Sequence, residues 1–110
     1  MKQFALVVFS NPVAGREDEY NNWYTNQHLA DVLKVPGFLS AQRFTLGVAD
    51  PGAKWKYLAI YEFESDDAAA TVATLVALAG SPDMVLSEAL NLSDYSVTPW
   101  LAITDKLRRR

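Results

Sequence analysis

His28 is the only histidine of the chain, and the chain contains no cysteine. The ordinary pKa of histidine lies nearer to neutral pH than that of other side chains, so proton transfer would fall first to His28. Tyr24 precedes His28 by four residues, and Asp31 follows it by three. Because residues three or four apart share a face of a helix, these side chains are predicted to lie together. His28, Tyr24 and Asp31 are therefore the candidate catalytic residues.

Each catalytic candidate has a chemical role and a plainer structural alternative. His28 is a general acid or base with a near-neutral pKa, or a partly buried residue bonded to a backbone carbonyl. Asp31 orients the imidazole or raises its pKa, or is an ordinary exposed aspartate. Tyr24 donates to a substrate oxygen, or is a core aromatic with its hydroxyl at the rim. Trp23 is predicted to be rotated away from this column and to pack against a neighbouring element.

Five further residues are predicted to bind substrate. Asn11 either faces the mouth of a cavity with its amide or forms a turn as part of an Asn-Pro pair. Arg43, in the middle of a predicted strand, either holds a carboxylate or phenolate through both nitrogens or pairs with Glu62 across the sheet. The other three are aromatic and line either a pocket or the core of a dimer: Tyr57, Tyr61 and Trp100.

Composition and missing motifs exclude several classes of protein. One histidine without cysteine does not make a zinc site, and no glycine-rich phosphate loop is present, so we expect no metal and no cofactor. The net charge of −3 argues against a nucleic-acid-binding surface. No apolar run approaches the roughly 20 residues that span a bilayer. With no cysteine, and an N-terminal run typical of a strand, we expect a cytoplasmic protein.

The hydrophobic periodicity predicts four strands and three helices. The strands cover residues 2–10, 38–46, 55–64 and 92–104. The first helix covers 16–34, the second runs from a cap at Ser65 to a stop at Gly80, and a short third helix covers 82–90. The order of the main elements is β-α-β-β-α-β, which is typical of an α+β, ferredoxin-like domain with a four-stranded antiparallel sheet. We assign residues 1–105 to this domain and 106–110 to a solvated basic tail.

The third strand is apolar on both of its faces. Leu58 and Ile60 alternate with Tyr57, Tyr61 and Phe63. Two helices cover only one face of such a sheet, so the other face would expose apolar side chains in a monomer. A homodimer in which two sheets pack face to face would bury them.

At this point the chain resembles the dimeric α+β barrel superfamily and, within it, the EthD-like branch. The residues that carry the likeness form the segments FSNP (9–12), WY (23–24), HLADV (28–32), VPGF (35–38) and AQRF (41–44). The resemblance implies a dimer of two ferredoxin-like halves. It also implies a ligand cavity between the first helix and the sheet, with His28 directed towards it.

The resemblance supports the fold strongly and the chemistry weakly, because one fold carries many functions. The leading hypothesis is a small, cofactor-independent enzyme that transfers a proton on a hydrophobic aromatic or polyketide-like carbonyl compound. Its reaction would be of the lyase, isomerase, dehydratase or cyclase type. The alternatives are a cofactor-free monooxygenase of an electron-rich aromatic compound and a non-catalytic dimer that binds a small ligand.

Overall fold

A computed structural model describes residues 1–110 and contains one four-stranded antiparallel sheet. The strands are β1 (Lys2–Ser10), β2 (Phe38–Thr45), β3 (Tyr57–Ser65) and β4 (Ser96–Leu101), in the order β2-β3-β1-β4. The predicted ferredoxin-like fold is confirmed, and the bounds of β1 agree with the sequence pattern. None of the helices is long and apolar enough to cross a membrane.

The first helix is continuous but contains one wider turn. It consists of α1 (Glu17–Trp23), a π turn (Tyr24–His28) and α2 (Leu29–Leu33). Within the π turn, the backbone N–H of Leu29 donates to the carbonyl of Tyr24, five residues earlier. The predicted extent of the helix is thus nearly right, while the prediction of regular α geometry through His28 is wrong.

The second helix, α3 (Ala68–Leu78), begins two residues later than the predicted cap at Ser65 implies. Asp67 caps it, because its side chain accepts the backbone N–H of Ala70 at 3.1 Å. Ser65 instead accepts the N–H of Asp67 at 2.9 Å and pairs with the Thr71 hydroxyl at 2.7 Å. The serine therefore fixes the turn that leads into the helix.

The predicted third helix is absent, and its residues form irregular turns between α3 and β4, here called the lid loop (residues 80–95). The hydroxyls of Ser81 and Ser87 each accept a backbone N–H two residues later, an arrangement that competes with helix formation. The loop is tied to the end of β1 by a bond from the N–H of Val13 to the carbonyl of Ala89, at 2.7 Å. β4 consequently starts later than predicted.

The sheet has a covered face and an open face. Register pairs such as Leu6 with Tyr61 lie buried beneath the helices. The alternate pairs, such as Val7 with Ile60, lie on the opposite side. This open face is largely apolar and contains Ala5, Val7, Phe9, Phe44, Leu58, Ile60 and Trp100. Trp55 precedes β3 and stacks on Phe9 of the open face, with ring centroids 6.0 Å apart.

Gly37 joins α2 to β2 in a conformation that requires glycine. Its φ is +98°, and a Cβ built on it would lie 2.7 Å from the carbonyl oxygen of Glu64. The carbonyl of Gly37 accepts the N–H of Glu64 at 2.9 Å, so this close approach holds β2 against β3.

We predict that Gly37→Ala lowers the free energy of unfolding by about 1–3 kcal/mol, the usual cost of a strained backbone conformation. Urea unfolding followed by circular dichroism measures the effect. Gly47→Ala is the matched control, because a Cβ at Gly47 meets nothing within 4 Å. Equal stabilities for the two variants would contradict the close-approach argument.

Candidate active site

A cavity of about 140 Å³ lies between the first helix, α3, the covered face of the sheet and the lid loop. Thirteen of its fifteen lining residues are hydrophobic, and none is Asp, Glu, Lys or Arg. The lining residues are Val8, Ser10, Tyr24, His28, Val32, Tyr61, Leu75, Val76, Ala79, Met84, Leu86, Leu90, Leu92, Tyr95 and Val97. An apolar cavity of about this size holds a benzene-sized ligand.

His28 lines this cavity, as the sequence predicted, but the π turn sets its surroundings. The imidazole stacks on Trp23 with ring centroids 4.6 Å apart and meets the edge of Tyr24 at 5.0 Å. Because the wider turn brings residues five apart onto one face, Trp23 joins the His28 column instead of turning away from it. The indole N–H of Trp23 also donates to the carbonyl of Val85 in the lid loop at 3.0 Å, so the predicted contact with a neighbouring element is present.

His28 is half-buried, and its Nδ1 atom is buried without a hydrogen-bond partner. The alternative was a partly buried histidine bonded to a backbone carbonyl, and no such bond is formed at Nδ1. Burial lowers the pKa of His28 to about 4, with a smaller opposing effect of Asp31. The expectation of a near-neutral pKa is also wrong, because the apolar surroundings disfavour the charged ring. At neutral pH the side chain is an uncharged imidazole.

Asp31 does not orient the imidazole. Its carboxylate lies 3.4 Å from the ammonium of Lys34, and it contributes to a polar surface groove outside the cavity. Its contribution to His28 is the weak electrostatic effect described above. The structure therefore places Asp31 near the site but not in it.

Two tyrosines complete the polar wall of the cavity. The hydroxyl of Tyr61 donates to the hydroxyl of Tyr24 at 3.4 Å, which leaves the Tyr24 proton available to a ligand. Burial raises the pKa of Tyr24 to about 12 and also raises that of Tyr61. Both phenols are therefore neutral hydrogen-bond donors.

Arg43 contacts the first helix and does not line the cavity. Its nitrogens donate to the hydroxyl of Thr25 at 2.8 Å and to the side-chain oxygen of Asn21 at 2.9 Å. The guanidinium also lies 4.5 Å from the ring centre of Tyr24, and Arg43 is not among the residues that line the cavity. The alternative pairing with Glu62 is wrong, because Glu62 lies on the open side of the sheet, where it pairs with Lys106 at 3.3 Å.

Three other predicted binding residues lie outside the cavity. Asn11 fixes the loop before β3, since its amide bonds the carbonyl of Lys54 at 2.8 Å and the N–H of Lys56 at 3.0 Å. The hydroxyl of Tyr57 donates to Glu17. Trp100 is 61% exposed on the open face, because it alternates with the residues of β4 that face the helices.

Ser10 and the lid loop also line the cavity, although the sequence did not predict either as part of the site. Ser10 is 2% exposed, lines the cavity, and pairs with the buried hydroxyl of Tyr20 at 2.6 Å. Its alternation with Leu6 and Val8 along β1 was the available signal. The apolar residues of the lid loop lie in irregular backbone and line the cavity through tertiary packing. No local sequence pattern predicts this packing.

No protein-family model and no curated protein match the chain. Solved structures do match it. An EthD family protein from Bacillus halodurans is 14% identical, with a TM-score of 0.50 over 90% of this chain and 96% of its own. The heme-degrader MhuD from Mycobacterium tuberculosis, with two hemes in its active site, is 20% identical, with a TM-score of 0.59 over 94% and 98%.

A third structure, a hydroxynitrile lyase from Passiflora edulis, is 14% identical, with a TM-score of 0.57 over 97% of this chain and 98% of its own. Identities this low establish a shared fold and leave the chemistry open. The chain has a ferredoxin-like fold, and an EthD family protein is among the structures that share it.

Proposed function

We propose that this protein is an enzyme that moves a proton on a carbon atom beside the carbonyl group of a small apolar compound, as a lyase or isomerase does. One observation carries the proposal. The uncharged imidazole of His28, unpaired at Nδ1, packs against the ring of Tyr24, and both residues line an apolar, ring-sized cavity. A base and a donor placed together are what removal of a proton beside a carbonyl requires.

In this mechanism the Tyr24 hydroxyl donates to the substrate carbonyl oxygen while His28 removes the proton from the neighbouring carbon. The Tyr61 hydroxyl, which donates to Tyr24, stabilises the negative charge that develops there. A pKa of about 4 makes His28 a weak base in the free protein. The developing enolate supplies a negative charge in a medium of low dielectric, and this raises the pKa of His28 as the proton arrives.

The comparisons support the reaction class only through the fold. The hydroxynitrile lyase shows that this fold carries lyase chemistry. Heme binding, as in MhuD, does not fit this cavity: a porphyrin is several times larger than the single ring that about 140 Å³ accommodates. We therefore derive no step through heme.

The proposal predicts that the protein accelerates exchange of the methyl protons of acetophenone in D₂O, as measured by proton NMR. His28→Gln keeps a hydrogen-bonding side chain but removes the base, and we expect it to lower the rate by about 10²–10⁴-fold. Gln27→Ala, at the exposed neighbouring position, is the control and should keep the full rate. Wild-type exchange that survives in His28→Gln would exclude His28 as the base.

The lowered pKa of His28 predicts a stability that depends on pH. Between the unfolded pKa of 6.5 and the folded pKa of about 4, the unfolded chain binds the proton and the folded chain does not. Acidification through this window therefore destabilises the fold by about 3 kcal/mol, and stability is fully present above pH 6.5.

Urea unfolding at pH 7, 6, 5 and 4 checks this prediction, and His28→Gln should lack this part of the pH dependence. The titration of the His28 ring protons by NMR gives the folded pKa directly. A measured value near 6.5 would contradict both the burial argument and the proposed state of the base.

We further propose that the protein is a homodimer formed through the open face of the sheet. Support comes from the exposure of large apolar side chains there, with Phe44 40% and Trp100 61% exposed in the single chain. β1 contributes Ala5, Val7 and Phe9 to the same face. A surface of this kind is stabilised by burial against a second copy.

Ile60→Lys, in the middle of the open face, should convert the dimer to a folded monomer, since a buried lysine without a partner is costly. Sedimentation velocity measures the mass, and circular dichroism verifies the fold. Ala73→Lys, on an exposed position of α3, is the control and should remain dimeric. A wild-type species of 12.2 kDa at micromolar concentration would overturn the dimer.

A further inference from the structure

No carboxylate, ammonium or guanidinium group lines the cavity. The fifteen lining residues include no acidic or basic side chain other than His28. The titratable groups that face the interior are His28 and Tyr24 from the first helix, Tyr61 from β3 and Tyr95 from the lid loop. Burial keeps His28, Tyr24 and Tyr61 uncharged at neutral pH.

Arg43 lies next to a lining residue of the cavity but does not line the cavity itself. The guanidinium of Arg43 lies against the ring of Tyr24, 4.5 Å from its centre, and is absent from the cavity lining. Its nitrogens donate to Asn21 and Thr25 on the first helix. It also lies 5.4 Å from the ring centres of both Tyr20 and Tyr57, so aromatic rings surround it. The guanidinium is therefore engaged by the first helix and these rings, and no side-chain cation lines the cavity.

We propose that the cavity selects uncharged, single-ring compounds that carry one hydrogen-bond-accepting oxygen, and that it excludes carboxylates of the same shape. The inference rests on the proposed function, whose substrate class it narrows. The size of the cavity limits the ligand to a single ring. The Tyr24 hydroxyl favours a ligand oxygen that accepts a hydrogen bond, and the absence of a cation from the lining favours an uncharged ligand. A carboxylate would enter without a counter-ion, and a buried unpaired charge is strongly disfavoured.

Two ligands of matched shape test the charge selection: acetophenone, which is neutral, and benzoic acid, which ionises with a pKa of about 4, like other carboxylic acids. Binding is measured by chemical-shift changes of the His28 and Tyr24 rings between pH 5 and pH 7. The dissociation constant of acetophenone should be independent of pH in this range. That of benzoic acid should rise tenfold per pH unit, because only the neutral acid enters, and benzoate at pH 7 should bind about a thousandfold more weakly than the acid form.

The oxygen preference is tested with toluene, which has the ring but no oxygen. Tyr24→Phe should weaken acetophenone roughly tenfold, the effect of one lost hydrogen bond, and leave toluene unchanged. Leu90→Trp, which fills the cavity from the lid loop, should abolish binding of both ligands. Val85→Trp, at an exposed side chain in the same loop, is its control.

The outcomes separate this inference from the proposed function. Benzoate that binds as tightly as acetophenone, without pH dependence, overturns the charge selection, because it means that His28 becomes protonated and pairs with the anion. The exchange of acetophenone protons by His28 is then unaffected. If neither aromatic ligand shifts the His28 and Tyr24 rings, both the inference and the proposed function fail. Equal affinities of Tyr24→Phe and wild type for acetophenone overturn the role of the Tyr24 hydroxyl.

Discussion

The extra residue accommodated by the π turn at Tyr24–His28 determines the arrangement of the candidate site. In a regular helix, Trp23 and His28 would lie on different faces. The wider turn brings their rings together at 4.6 Å, with Trp23 bonded to the lid loop and His28 in the lining of the cavity. Arg43 lies beside this turn and donates to Thr25 within it, so β2 holds the wider turn in place. Such turns are rare and occur frequently at functional sites.

Desolvation then decides what the assembled residues can do. The same apolar surroundings that lower the pKa of His28 raise those of Tyr24 and Tyr61, so all three groups are uncharged at neutral pH. A neutral base and a neutral donor favour a reaction in which charge is created as a pair within the cavity and then removed. Total charge is conserved in such a transfer, so the cost of burying an ion is offset by the attraction of its partner.

The sequence predicts the fold well because its evidence is local. The apolar run of β1, the alternation along β3, the Pro-Gly turn at Gly37 and the acidic first turn of α1 each involve only a few neighbouring residues. The candidate site is less predictable, although His28 and Tyr24 were found from their spacing. The π turn and the packing of Arg43 among tyrosines depend on contacts between distant elements, and the pairing of Asp31 with Lys34 depends on a side-chain orientation that residue spacing does not select. The prediction from helical spacing assumes a regular α-helix, and the backbone departs from that geometry at Tyr24–His28.

The sequence of β1 is continuously apolar because its residues alternate between the covered face and the open face of the sheet, and both faces are largely apolar. Leu6, Val8 and Ser10 face the helices, and the latter two line the cavity. Ala5, Val7 and Phe9 face the open side. The cavity lies on the covered side of the sheet, opposite the open face. Burial of the open face would stabilise the central strand from behind, and so hold Ser10 and its neighbours in the positions that the cavity requires.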